Sequence, residues 1–102
     1  MKKVLNKTSY NLDITLFKQG RFFVAYCPAL DLSSCGTTKD KAVKMIRESI
    51  DIFLEEIEKT NKTKTVLTSL GWKIRSPYNF QPPETLHTKV SVKYAQATKL
   101  KI

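Results

Sequence analysis

Hydrophobic and polar residues alternate in the N-terminal part of the chain. Within residues 10–17, Leu12, Ile14 and Leu16 are apolar and the residues between them are polar. Alternation of this kind is typical of a strand that buries one face. A turn around Gly20, which takes a positive φ at little cost, then leads into a second strand. The pattern therefore predicts a β-hairpin.

The second strand of this hairpin is an aromatic and β-branched run at residues 22–27. Such residues favour the pleated surface of a sheet. Pro28 ends the strand, because proline has no N–H to donate to a neighbouring strand. Residues 30–35 are short enough to form either a loop or a brief third strand before Gly36, and the sequence leaves both interpretations open.

An amphipathic helix follows. Apolar residues recur at three- and four-residue steps over residues 42–57, and charged residues occupy the opposite face. Thr38 is a suitable N-cap, and Asp40 complements the positive end of the helix. We predict one long helix that starts near Lys39 and is closed by residues 60–63.

The C-terminal third carries weaker patterns. Residues 65–72 fit one or two helical turns stopped by Gly71, and the proline-containing stretch that follows predicts irregular structure. From His87 onward the even positions are mostly apolar, and lysines lie on odd ones. This alternation predicts a long strand, or two short ones, with a lysine-lined face.

Together these elements predict an α+β fold, in which an antiparallel sheet of three to four strands packs on one long amphipathic helix. A chain of 102 residues has room for one domain. We assign residues 1–102 to it, with a core at 8–75 and a basic strand extension at 85–102. No apolar run is long enough to span a bilayer and no secretion signal is evident, so we expect a cytoplasmic protein without membrane contact.

The formal net charge of +9 is unusual and is concentrated toward the C-terminal end. Such a charge attracts polyanions, but it also keeps proteins soluble. Lysines on an exposed strand also discourage unwanted strand addition. The candidate nucleic-acid-binding residues of this alternative function are Lys89, Lys93, Lys99 and Lys101.

Residues that could carry chemistry are few. His87, the single histidine, has no cysteine or carboxylate near it in the sequence. Cys27 and Cys35 lack the spacing of a redox or metal site, so we expect reduced thiols buried in strands, with a bridge between them as the minor alternative. The three glycines lie too far apart for a phosphate-binding loop.

One catalytic alternative uses carboxylates. Asp13, together with Glu48 or Asp51, could hold magnesium as in nucleases of the RNase H type. Each of these residues lies on the polar side of its element, where a solvated charged surface explains it equally well. We therefore predict that the chain is not an enzyme, with no catalytic residue, no metal site and no cofactor.

A set of short motifs spans the second strand and the start of the helix. Residues 23–30 read Phe-Val-Ala-Tyr-Cys-Pro-Ala-Leu, and Gly36, Thr38 and Ala42 follow. This combination resembles the core signature of HicB-like antitoxins. The Leu-Gly-Trp-Lys sequence at residues 70–73 is similar to the segment that follows the helix in minimal members of the family.

The resemblance covers about residues 10–75 and implies a partial RNase H-like fold without catalytic carboxylates. It implies that the chain blocks a small ribonuclease toxin of the HicA type by binding it. It also implies a homo-oligomer, with the dimer as the expected form. Val43 and Ile52 lie beside or outside the main apolar face of the helix, and they either widen the core contact or belong to a self-association surface.

The chain departs from the family pattern in three respects. Many members carry a C-terminal ribbon-helix-helix or helix-turn-helix module for operator binding, whereas the roughly thirty residues after Trp72 fit neither. Lys41 stands where an acidic residue usually completes a capping box. HicA-type toxins are themselves basic, so a basic antitoxin must meet one through local acidic or apolar surface.

The predicted partner surface is the edge of the hairpin and the loop after it. Its residues are Tyr26, Pro28, Leu30 and Asp31. They have an equally plain structural interpretation, with Tyr26 and Leu30 in the core and Pro28 as a strand terminator.

Overall fold

The computed structural model describes residues 10–76 and 79–95. The elements in chain order are β1 (Thr15–Gln19), β2 (Phe22–Cys27), β3 (Leu32–Gly36), α1 (Lys39–Lys59), α2 (Thr63–Ser69), β4 (Lys73–Ser76) and β5 (Asn79–Gln81). The predicted α+β class is confirmed. An antiparallel sheet in the order β1-β2-β3 packs on the long helix, and β4 and β5 form a separate two-stranded sheet.

The register of the three-stranded sheet sorts its side chains into two faces. Phe17 lies opposite Val24, and Val24 lies opposite Cys35. Successive side chains along a strand point to opposite faces, so these three residues share one face and their neighbours share the other. The face turned away from α1, called the outer face below, carries Thr15, Phe17, Gln19, Phe22, Val24, Tyr26, Ser33 and Cys35.

The core lies between the inner face of the sheet and α1. Its buried residues are Ala25, Cys27, Ala29, Leu30, Ala42, Ile46, Ile57, Leu67 and Trp72. The helix packs mainly on β3 and to a lesser extent on β2. A hydrogen bond of 3.0 Å between the hydroxyls of Ser34 in β3 and Ser49 in α1 joins the two layers.

The structure confirms Thr38 as the predicted N-cap, and the helix ends at Lys59, directly before the predicted closing residues 60–63. The hydroxyl of Thr38 accepts a hydrogen bond of 3.1 Å from the backbone N–H of Lys41, which satisfies one of the free donors of the first turn. At the other end, the Thr60 hydroxyl donates to the carbonyl of Glu56 at 3.0 Å. None of the described helices combines the length and the apolar character needed to cross a membrane.

Two predicted strands need correction. The first begins at Thr15 and not at Tyr10, because its partner β2 ends at Cys27 and Pro28 cannot continue the hydrogen-bonded ladder. The strand predicted for residues 85–102 is absent from its described part, since residues 82–95 form neither helix nor strand. Alternation alone does not make a strand, because the backbone also needs a paired neighbour. Residues 96–102 lie outside the described residues.

The irregular stretch predicted after Gly71 also contains more order than expected. Strands β4 and β5 pair across Ile74 and Phe80, and the Arg75 side chain donates a hydrogen bond to Gln81. A hairpin this short lacks the alternating pattern on which sequence reasoning depends.

The close approach of β3 to α1 allows a direct test. A Cβ atom at Gly36 would lie 2.7 Å from the backbone nitrogen of Ala42, so a larger residue must push the helix away from the strand. We expect Gly36→Ala to lower the free energy of unfolding by about 1–3 kcal/mol. Chemical denaturation measures this, with Thr37→Ala as the exposed control. Equal stability of the two variants would contradict the assigned contact.

Candidate protein-binding surface

The turn between β2 and β3 is held rigidly by buried groups. The Leu30 N–H donates to the carbonyl of Cys27 at 3.3 Å, and the indole N–H of Trp72 donates to the carbonyl of Ala29 at 2.8 Å. Trp72 in turn packs edge-on against Tyr10, with the ring centroids 5.4 Å apart. The Pro28–Asp31 turn is thus a fixed surface feature, supported from beneath by residues distant in sequence.

Tyr26 and Asp31 join this turn to the sheet. The Tyr26 hydroxyl donates a hydrogen bond of 2.8 Å to the carboxylate of Asp31. This bond raises the pKa of Tyr26 above its ordinary value, because it requires the protonated hydroxyl; partial desolvation and the nearby carboxylate charge act in the same direction. The phenol therefore stays neutral at physiological pH, and an exposed carboxylate stands beside an aromatic ring.

The structure separates the four predicted partner residues. Pro28 and Tyr26 are half-buried and Asp31 is exposed, so all three reach the surface. Leu30 is only 2% exposed and belongs to the core, which corrects its predicted place on the binding surface. Asp31 takes a left-handed backbone conformation with φ of 55°, so the chain reverses directly after Leu30.

The outer face is a second feature, and sequence reasoning missed it. Phe17 and Phe22 are 46% and 43% exposed, and Val24 and Tyr26 lie half-buried beside them. Among the described elements, only α1 packs on the sheet, and it covers the inner face. The outer face is therefore an uncovered apolar surface, bordered at one end by the Tyr26–Asp31 pair.

One signal in the sequence could have revealed this surface. Strand β2 reads Phe-Phe-Val-Ala-Tyr-Cys, with no strongly polar residue at any position. A strand with one solvated face alternates, whereas a continuous apolar run indicates burial on both faces. Because α1 packs on the inner face only, the apolar residues on the outer face of β2 are left without a packing partner among the described elements.

The other candidate residues do not converge within the described chain. Over residues 10–76 and 79–95, no three His, Cys, Asp or Glu side chains are grouped to hold a metal ion. Asp13, Glu48 and Asp51, the carboxylates of the magnesium alternative, are all exposed. Exposed positions are also occupied by His87, Lys89 and Lys93, whereas Lys99 and Lys101 lie outside the described residues.

The two cysteines lie on opposite faces of the sheet. Both are free, as predicted, but only Cys27 is buried, and Cys35 is exposed on the outer face. The prediction that both thiols are buried is therefore wrong for Cys35. Burial raises the pKa of the Cys27 thiol, and hydrogen bonds from the backbone of Leu30 and Ala29 offset this only in part.

This difference predicts selective reactivity. In the folded chain a maleimide reagent should modify Cys35 alone, because Cys27 is inaccessible and its thiolate is disfavoured. Mass spectrometry after brief labelling measures the modified site. Cys35→Ser should abolish labelling until denaturant is added. Labelling of Cys27 in the folded Cys35→Ser protein would contradict the assignment of the two faces.

Comparison with known proteins gives no further guide, because no family model, no curated protein and no solved structure matches this chain. The described residues form an α+β domain with a rigid turn and an open apolar sheet face. The resemblance to HicB-like antitoxins stays a prediction from short motifs.

Proposed function

We propose that this chain is a non-catalytic, antitoxin-like protein-binding module of the cytoplasm that neutralises a small ribonuclease toxin of the HicA type by direct binding. The observation that carries the proposal is the uncovered outer face, with Phe17 and Phe22 each more than two-fifths exposed. Contiguous apolar surface of this kind on a small domain marks an interaction site. The short motifs that resemble HicB-like antitoxins supply the class of partner.

The chemistry of the outer face favours a protein over a nucleic acid. None of its eight side chains is charged, so the phosphate groups of a nucleic acid would meet no cation there. Aromatic side chains such as Phe17, Phe22 and Tyr26 are enriched in the buried centres of protein interfaces. Apolar contact also lets a chain of net charge +9 bind a basic partner without strong repulsion across the interface.

Asp31 gives this surface a second role. Its carboxylate lies at the border of the outer face and is held there by the 2.8 Å bond from Tyr26. A ribonuclease binds RNA phosphate through cationic side chains, and a fixed carboxylate competes for the same cations. Occlusion of the RNA-binding surface requires no reaction, so neutralisation follows from binding alone.

Removal of the exposed aromatic rings tests the proposal. We expect Phe17→Ser combined with Phe22→Ser to weaken binding of the purified toxin partner by about a hundredfold, since each ring would contribute more than about 1 kcal/mol at the centre of an interface. Titration calorimetry measures the dissociation constant. Both rings are substantially exposed, so the fold should persist.

A matched control keeps this test specific. Met45→Ser combined with Ile52→Ser removes two apolar side chains, 45% and 67% exposed, from α1. This variant should bind the partner as the unaltered chain does. Equal loss in both variants, or no loss with the phenylalanine pair, would exclude the outer face as the binding surface.

A nucleic-acid-binding module is the second candidate function. Lys89 and Lys93 are exposed on a segment without helix or strand, and Tyr94 beside them is 79% exposed. Lysines that track a phosphate backbone, next to an aromatic ring on which a base can stack, suit single-stranded nucleic acid. The other two lysines of this set, Lys99 and Lys101, lie outside the described residues.

Salt and charge removal distinguish the two functions. If the lysines bind nucleic acid, exchanging all four for glutamine should abolish retention of RNA and DNA, and binding by the unaltered chain should weaken steeply from low to moderate salt. Under the protein-binding proposal, the glutamine variant retains the toxin partner, and the complex persists at moderate salt. Filter binding and calorimetry over a salt series measure both. Unchanged nucleic-acid retention by the glutamine variant rules out the lysine-lined segment.

A further inference from the structure

Residues 86–94 have the pattern of a strand but no paired neighbour in the described chain. The apolar residues at even positions are almost fully exposed, at 76–79%: Leu86, Val90, Val92 and Tyr94. The odd positions of the same segment are mostly polar. Together these four side chains expose on the order of 500 Å², comparable to the largest apolar patch on a typical monomer.

A groove beside the sheet has the matching character. It lies between residues 10–14 and the middle of α1 and has a volume of about 320 Å³. The apolar part of its lining comes from Tyr10, Leu12, Ile14, Val43, Ile46 and Ile50. The groove is open because α1 packs over β3 and β2 and leaves the β1 side of the inner face uncovered.

The same side of the sheet offers unpaired backbone groups. Strand β1 is an edge of the sheet, with β2 on its other side. Leu16, on the inner face of β1, is 38% exposed. A strand added along this edge would pair with the backbone of β1 and place alternate side chains over Leu16 and the groove.

We propose that residues 86–94 of one copy form a fourth strand along β1 of a second copy. Residues 86–94 of the second copy make the same contact with β1 of the first. The even-numbered apolar residues then cover the groove, and Lys89 and Lys93 point away from the helix. A twofold arrangement closes both contacts in one dimer, as in other exchanges of an identical element between protomers.

We assign the added strand to a second copy of the chain because each copy carries both residues 86–94 and the groove. Within one copy the two are not packed together. The side chains of residues 86–94 remain exposed in the single chain, and the groove remains open. Two exchanged segments and the grooves that they cover bury roughly 2,000 Å², the size of a stable homodimer interface. The outer face stays free, so the dimer does not depend on the proposed toxin binding.

The test compares substitutions on the two sides of the segment. Val90→Asp combined with Val92→Asp adds two charges to the apolar side, whereas His87→Asp combined with Ser91→Asp adds two to the polar side. Sedimentation equilibrium should find dimers for the unaltered chain and the polar-side variant. The apolar-side variant should dissociate at least about a hundredfold more readily, because two buried carboxylates oppose the contact.

Both variants should fold, since the substituted side chains are exposed in the single chain. A monomeric unaltered chain at millimolar concentration, or a dimer that survives the apolar-side substitutions, would overturn the proposal. Hydrogen exchange followed by mass spectrometry identifies the edge. We expect dimer-dependent protection of residues 86–94 and of Thr15–Gln19, lost in the apolar-side variant. Protection of β3 without β1 would overturn the assigned edge.

Discussion

The contact between the end of β3 and the first turns of α1 determines the rest of the structure. Gly36 has no side chain, and a Cβ there would meet the backbone of Ala42 at 2.7 Å. Ala25 and Ala42, both fully buried, continue this close approach. The helix therefore packs over β3 and β2. No second described helix packs on the sheet, so the outer face and the β1 side of the inner face stay exposed.

These two open surfaces have different chemistry and suit different occupants. The outer face is aromatic, without a charged side chain, and ends at the carboxylate of Asp31, which fits a basic protein partner met mainly through apolar contact. The groove beside β1 is lined mainly by apolar side chains, with Asn11, Arg47 and Asp51 among them, and β1 is an edge of the sheet, which fits an added strand. Since the surfaces lie on opposite sides of the sheet, the proposed dimer would leave both outer faces free for the proposed partner.

Local patterns in the sequence predicted the elements whose structure is decided locally. The helix followed from apolar periodicity and from Thr38, whose hydroxyl meets the Lys41 N–H within the same turn. The hairpin followed from the alternation in residues 10–17, the turn at Gly20 and the aromatic and β-branched run at residues 22–27. Local patterns did not decide the features that depend on distant contacts. Leu30 is buried in a turn that Trp72 supports from beneath, a position that the sequence left open, and residues 86–95 form no strand because they have no paired neighbour.

The candidate site was predicted only in part for the same reason. Tyr26, Pro28 and Asp31 were identified from the motif, and the structure places them at the surface. The exposed rings of Phe17 and Phe22 were not identified, because each looks like an ordinary strand residue until the sheet register and the position of α1 are known. The sequence predicts one long helix, which can bury only one face of the sheet. The apolar run of β2 therefore already indicates that its second face is exposed.

The most direct test of toxin neutralisation is ribonuclease activity of the bound partner. The full chain is first used as bait in nuclease-treated lysate of the source cell. Any small protein captured in near-stoichiometric amount is then purified, and its cleavage of RNA is measured with increasing amounts of this chain. We expect a basic protein that cleaves RNA alone and loses that activity at one equivalent of the chain. A captured protein that does not cleave RNA, or one whose cleavage continues in excess chain, would contradict the antitoxin function.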